Sequence, residues 1–143
     1  MWIAQQSAAA DTNQLGEDME VVPSKDQSSE HPVPTSWRPV FFQIVRALSI
    51  GDCAAVSEVP GVASLSPETL AQITDYLRDY GEVLTDLPER AWDTSVAQWM
   101  DSHWEVLVDL WTEGEGRSDL VLSARVSEAS SDFVFEVHMV YVP

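Results

Sequence analysis

Glu105, Arg125, Glu136 and His138 set two carboxylates, a guanidinium and an imidazole along three alternating runs of this chain. Each sits in a run that alternates apolar and polar residues, so each belongs on one face of a β-strand. The loops between the runs set a register. If Trp111 opposes Asp119, then Glu105 opposes Arg125 and Leu107 opposes Ser123. If Glu128 opposes Phe133, then Arg125 opposes Glu136 and Ser123 opposes His138. Glu105, Arg125 and Glu136 then form one row across three strands. Two readings are open: a cross-strand charge row on a solvated face, or a ligand-facing acid–base set with His138 as the group titrating near neutrality.

A second constellation gathers at one end of the same strands, where Asp109, Trp111, Glu113, Glu115 and Asp119 place an indole within an acidic rim. Tryptophan anchors protein interfaces more often than most residues, and carboxylates around it suit a basic partner. The alternative is an acidic hairpin tip with Trp111 tucked into the domain. Glu105, Asp109, Trp111, Glu113 and Glu115 are the expected partner contacts.

Other chemistries find little support. His31, His103 and His138 match no zinc-ligand spacing. Cys53 stands alone, with no basic neighbour in sequence to activate it. No Gly-x-Ser-x-Gly elbow surrounds a serine. Gly114 and Gly116 lie among acids rather than lysines, unlike a phosphate cradle. The reading therefore leans away from an enzyme and expects neither catalytic residues nor a metal or cofactor.

Charge narrows the partner. The chain holds 24 acidic and 7 basic residues, for a net −17. Six acids and Lys25 in residues 1–36 leave −5 there, and 18 acids with six arginines leave −12 in residues 37–143. Such a domain repels nucleic acid and anionic membrane and attracts a basic protein. The single cysteine fits a reducing compartment. The N-terminal residues lack the pattern of a secretory signal, and no apolar run is long enough for a membrane span. A cytoplasmic location is expected.

These residues need elements to position them. Residues 1–35 read as a disordered or extended N-terminal segment, and residues 36–143 as a single α+β domain. Ser36 is expected to cap a helix over 37–50, with Trp37, Val40, Phe41, Ile44, Val45 and Leu48 as its apolar stripe. Ser66 caps a second helix that opens on Pro67 and stops at Gly81, with Leu70, Ile73, Leu77 and Tyr80 inward. Residues 82–87 read as an edge strand or an extended connector. Ala91 to His103 reads either as a short helix or as a strand over 95–100, and the strand is favoured. Trp104 to Trp111 is the central strand, with its even positions in the core. Leu120 to Ser127 and Phe133 to Val142 complete an antiparallel meander. On the last strand Phe133, Phe135, Val137, Met139 and Tyr141 are assigned to the core, and Val140 and Val142 to the outer face. The expected fold is α+β: two amphipathic helices packed on one face of a curved 4–5-stranded antiparallel β-meander.

The stretch Ser95-Val96-Ala97-Gln98-Trp99, then His103 to Trp111, with Arg117-Ser118-Asp119-Leu120 and Tyr141-Val142, resembles a small bacterial domain family of unassigned function over about residues 33–143. That resemblance implies no activity. In overall character, acidic and compact without a catalytic signature, the chain is also similar to immunity proteins of bacterial toxin–immunity systems, including those guarding against type VI secretion nuclease effectors. It implies a non-catalytic protein that binds and neutralises a basic toxin. Two alternatives remain: a small-ligand binder or enzyme with a pocket between helices and sheet near Asp93, His103 or His138, and a homodimer through the apolar outer face.

Overall fold

The computed structural model describes residues 20–143. Five antiparallel strands form an open sheet in sequence order: β1 (His31–Pro32), β2 (Val96–Trp99), β3 (Trp104–Thr112), β4 (Gly116–Ala129) and β5 (Asp132–Tyr141). Two helices, α1 (Arg38–Ser49) and α2 (Pro67–Tyr80), complete an α+β fold. Among the described residues, no helix is long and apolar enough to cross a membrane.

The central strand follows its parity. Trp104, Val106, Val108 and Leu110 are buried, while Glu105, Leu107, Asp109 and Trp111 are half-buried on the other side. Phe41, Ile44, Val45 and Leu48 of α1 close over the inner face. Trp37 meets Trp104 edge-on at 5.2 Å between ring centres, and Phe41 meets Phe135 at 5.5 Å, offset geometries that suit aromatic quadrupoles. These rings belong to the core between the helices and the sheet. His103 and His138 pair instead with Glu105 and Glu136 on the outer side, and Asp93 is exposed.

Helix α2 starts and stops as its sequence signals. Ser66 Oγ accepts from the Thr69 N–H, Pro67 takes the first turn, and Gly81 sits at φ +84°, a left-handed conformation that glycine adopts without a Cβ clash. Only Ile73 of this helix is fully buried. The helix leans on β5, where the Gln72 amide bonds both the N–H and the carbonyl of Val140. Helix α1 begins differently from expectation. A 3-10 turn over Thr35–Trp37 leads into it, its Trp37 N–H donates to the Pro34 carbonyl, and Ser36 supplies no cap.

Between the helices and the sheet, residues 82–87 are an extended connector whose Leu84 makes one bridge to Thr112. A 3-10 turn over Glu89–Asp93 then precedes β2, so the 91–103 stretch divides into a short turn and a strand. Buried Ser95 joins the two. Its hydroxyl donates to the Ala91 carbonyl and accepts from the Asp109 N–H.

Two register shifts change the sequence-derived pairing. Glu105 opposes Arg125, Leu107 opposes Ser123, and Arg125 opposes Glu136, as the loops imply. Beyond Asp109, however, β4 carries two extra residues, and Trp111 pairs with Arg117 rather than Asp119. Ser118 supports the irregularity, its hydroxyl donating to the Leu110 carbonyl and accepting from the Leu120 N–H. In β5, His138 is the extra residue, so Ser123 opposes Met139 rather than His138. A one-residue bulge inverts parity. Val140 is consequently buried in the core, and Met139 is 38 % exposed on the outer face, the reverse of the alternation-based assignment.

Residues 20–35 make specific contacts with the domain. Val33 and Pro34 are buried, Val21 and Thr35 bond each other through backbone and hydroxyl, and the Trp104 indole N–H donates to the Ser24 carbonyl. The segment is extended and lies on the domain, with β1 pairing to β2. Residues 1–19, the rest of the expected disordered segment, lie outside the described residues.

Candidate functional site

The outer face of the sheet carries the sequence-derived candidates, and the structure divides them. Glu105 lies mid-sheet, where its Oε2 sits 2.8 Å from His103 Nε2 and 3.5 Å from Arg125 Nε. Glu136, across β4, lies 3.8 Å from His138. The row Glu105–Arg125–Glu136 therefore exists, with each carboxylate beside a histidine. At roughly 3.3 Å per residue, Glu105 stands about 20 Å along β3 from Trp111. It belongs to a different patch.

Asp109 and Trp111 share the far end. The Asp109 carboxylate accepts a hydrogen bond from the Thr94 hydroxyl. The Arg90 guanidinium lies 4.6 Å from the centre of the Trp111 ring, a cation–π contact supplied by the Glu89–Asp93 turn. The Trp111 indole N–H is buried without a partner among the described residues. Glu113 is exposed at the β3–β4 turn, its N–H held by the Val83 carbonyl. Glu115 turns away toward α2. Its oxygens lie 2.8 and 3.0 Å from the Tyr80 hydroxyl, and one accepts from Thr112 Oγ1. Desolvation, followed by the Glu115 carboxylate, pushes the Tyr80 hydroxyl above its ordinary pKa.

Beside Asp109 an open groove of about 420 Å³ runs along the outer face, with Val121 and Val142 as apolar lining and Asp109, Asp119 and Arg117 as charged lining. The register shift at Ser118 places Arg117 beside Trp111 and leaves Asp119 on the groove wall. Asp109, Trp111 and Asp119 are named by the sequence pattern, whereas the groove, Arg117 and Arg90 emerge only from the fold. No local signal announces Arg90, because its ring contact arises from a turn about twenty residues earlier in the chain.

The basic residues are mostly spent within the fold. Lys25 pairs with Glu128, Arg46 with Asp86, Arg78 with Asp75 and Asp79, and Arg125 with Glu105. Arg38 lies over Trp92 and bonds the Val33 carbonyl, and Arg90 lies over Trp111. Among the described residues, Asp109, Glu113 and Asp119 have no cation within 4 Å of their carboxylates, and Arg117 has no carboxylate partner. Nor do three histidine, cysteine, aspartate or glutamate side chains come together among them as a metal-ligand set. Cys53 is a half-buried free thiol in the turn after α1.

The strand edges are guarded. β1 is two residues long and includes a proline, which cannot extend a ladder. On β5, Phe135 pairs with Gly61 and Ala63, Val140 with the Gln72 amide, and the Val142 N–H with Tyr76. A partner that adds a strand has little edge to use, so the face is the larger surface on offer.

A family model described as a domain of unknown function (DUF7668) matches residues 45–143. The match spans most of the domain, starting within α1. No curated protein and no solved structure gives a significant match.

Proposed function

The chain belongs to this family of domains of unknown function, and from that premise we propose that it is a non-catalytic binding protein for a basic protein partner. The concrete form of the proposal is an immunity protein that occludes a cognate toxin, a nuclease being the best match for the required charge. The observation that carries it is the groove end of the outer face. There Asp109 and Asp119 line an open groove with no cation paired to either carboxylate among the described residues. The net charge of −17 adds long-range attraction for a cationic protein.

The apolar lining supports the same reading. Exposed Val142 offers surface for the aliphatic stem of an arginine or lysine, with Val121 largely buried behind it, while the carboxylates meet the head. Nucleic acid and anionic lipid would be repelled by the same field. Asp109 and Trp111 remain the central expected contacts, with Glu113 on the rim; Glu105 and Glu115 lie outside this patch.

Co-expression with the product of the adjacent gene tests the proposal. The expected result is that the neighbour is toxic alone, is tolerated with this protein, and co-purifies with it. A neighbour that neither binds nor harms the cell in the absence of this protein sinks the immunity reading.

A further inference from the structure

A second surface, distant from the groove, already holds a peptide. Residues 24–27 cross the end of the sheet, against Trp99, Trp104 and Glu128 of the inner face and Gln98 beside them on β2. The Ser24 carbonyl accepts from the Trp104 indole N–H at 2.9 Å. Lys25, the chain's lone lysine, lies 5.1 Å from the Trp99 ring centre and 3.0 Å from Glu128 Oε1. The Gln98 amide donates to the Gln27 carbonyl at 3.2 Å. Two backbone carbonyls and one ammonium are thus read by an indole donor, an amide donor, an aromatic face and a carboxylate. Trp99 and Trp104 pack at 4.5 Å between ring centres, which fixes the aromatic wall.

From this arrangement we propose that Gln98, Trp99, Trp104 and Glu128 form a binding seat for an extended, lysine-bearing peptide, filled in this structure by the chain's own residues 24–27. Three observations favour a seat with an exchangeable occupant over a permanent part of the core. The four seat residues all lie within the family match at 45–143, and the occupant lies outside it. Lys25 and Glu128 are 54 % and 52 % exposed at their side chains, so the pair that reads the lysine is open to solvent. Residues 25 and 27–30 are exposed and Ser24 and Asp26 half-buried, between the Val21–Thr35 hydrogen bonds on one side and the buried anchors Val33 and Pro34 on the other. The occupant can therefore lift as a loop while both anchors stay in place. A lysine from another protein would meet the same cation–π and ion-pair contacts. This inference does not rest on the outer-face groove, which lies elsewhere on the domain.

The test uses the full chain carrying Lys25→Glu, in which residue 25 faces the Glu128 carboxylate with like charge and the internal occupant is weakened. A synthetic peptide with the sequence of residues 20–32 is titrated while the Trp104 indole N–H resonance is followed. Saturable binding is expected for this peptide and not for the same peptide with its lysine replaced by glutamate. Unsubstituted protein is expected to bind about ten-fold or more weakly, because its own segment competes at high effective concentration. Lys25→Met serves in parallel should the charge reversal impair folding. Absence of saturable binding in both variants, equal binding of the two peptides, or equal affinity of variant and unsubstituted protein would each overturn the seat.

Discussion

Arg90 holds its guanidinium 4.6 Å from the centre of the Trp111 ring, so the residue best suited to anchor a partner is already capped by a cation of its own chain. The contact joins the turn before β2 to the last positions of β3. It also shows what chemistry the ring accepts. Replacing Arg90 with alanine is expected to leave the fold intact, costing about 0.5–1 kcal/mol as an exposed cation–π contact, and to uncover Trp111. A red shift in tryptophan emission without a change in far-UV circular dichroism would report this. An unshifted spectrum would mean that other groups shield the ring.

The bulge at His138 makes a prediction opposite to simple alternation. Met139→Asp is expected to change stability by no more than about 0.5 kcal/mol, as an exposed substitution. Val140→Asp places a carboxylate in the core and is expected to cost more than about 4 kcal/mol. Urea unfolding of the two variants checks the order. Equal tolerance at both positions would place the bulge elsewhere.

Ser118 supports the irregularity that shapes the groove. Ser118→Ala removes a hydroxyl that donates to the Leu110 carbonyl and accepts from the Leu120 N–H. Leaving those buried groups unpaired is expected to cost about 1–3 kcal/mol. Chemical denaturation measures the loss, and amide exchange should rise at Leu120, whose N–H loses its acceptor, ahead of the remaining sheet.

Acid should loosen the link between α1 and the 82–87 connector. The Arg46 guanidinium binds Asp86 through two contacts, at 3.2 and 2.7 Å, and holds that carboxyl below its ordinary pKa. A depressed folded pKa contributes stability above the unfolded value of about 4, and that contribution fades as pH falls through the folded value. Unsubstituted protein should therefore melt higher than Asp86→Asn at pH 6, with the difference shrinking below about pH 4. A difference that persists unchanged to pH 2 would assign the effect to something other than ionisation.

Much of the fold was legible because local signals agreed with the period. Ser66, Pro67 and Gly81 bound α2 as capping chemistry requires, and Trp104 to Leu110 kept strict alternation. The loops even located the Glu105–Arg125–Glu136 row. Alternation could not reveal His138 as an inserted residue, because Val-His-Met-Val-Tyr reads equally well in two phases. The segment 20–35 looked unstructured because its hold on the domain comes from distant partners, Trp104 and Glu128, rather than from a period of its own. The acidic rim was legible as composition, but its division was not. Glu115 faces Tyr80 because the turn carries it to the helix side, while Asp109 and Asp119 remain on the groove.

The groove end of the outer face is proposed to bind a basic protein. The most direct test is the affinity for the adjacent gene's product, measured calorimetrically across a salt series for unsubstituted protein and for Asp109→Lys/Asp119→Lys. Binding is expected to weaken as salt rises and to fall by at least about a hundred-fold on the double charge reversal, with circular dichroism unchanged. Tight binding indifferent to both salt and the reversal would contradict it, as would the absence of any complex.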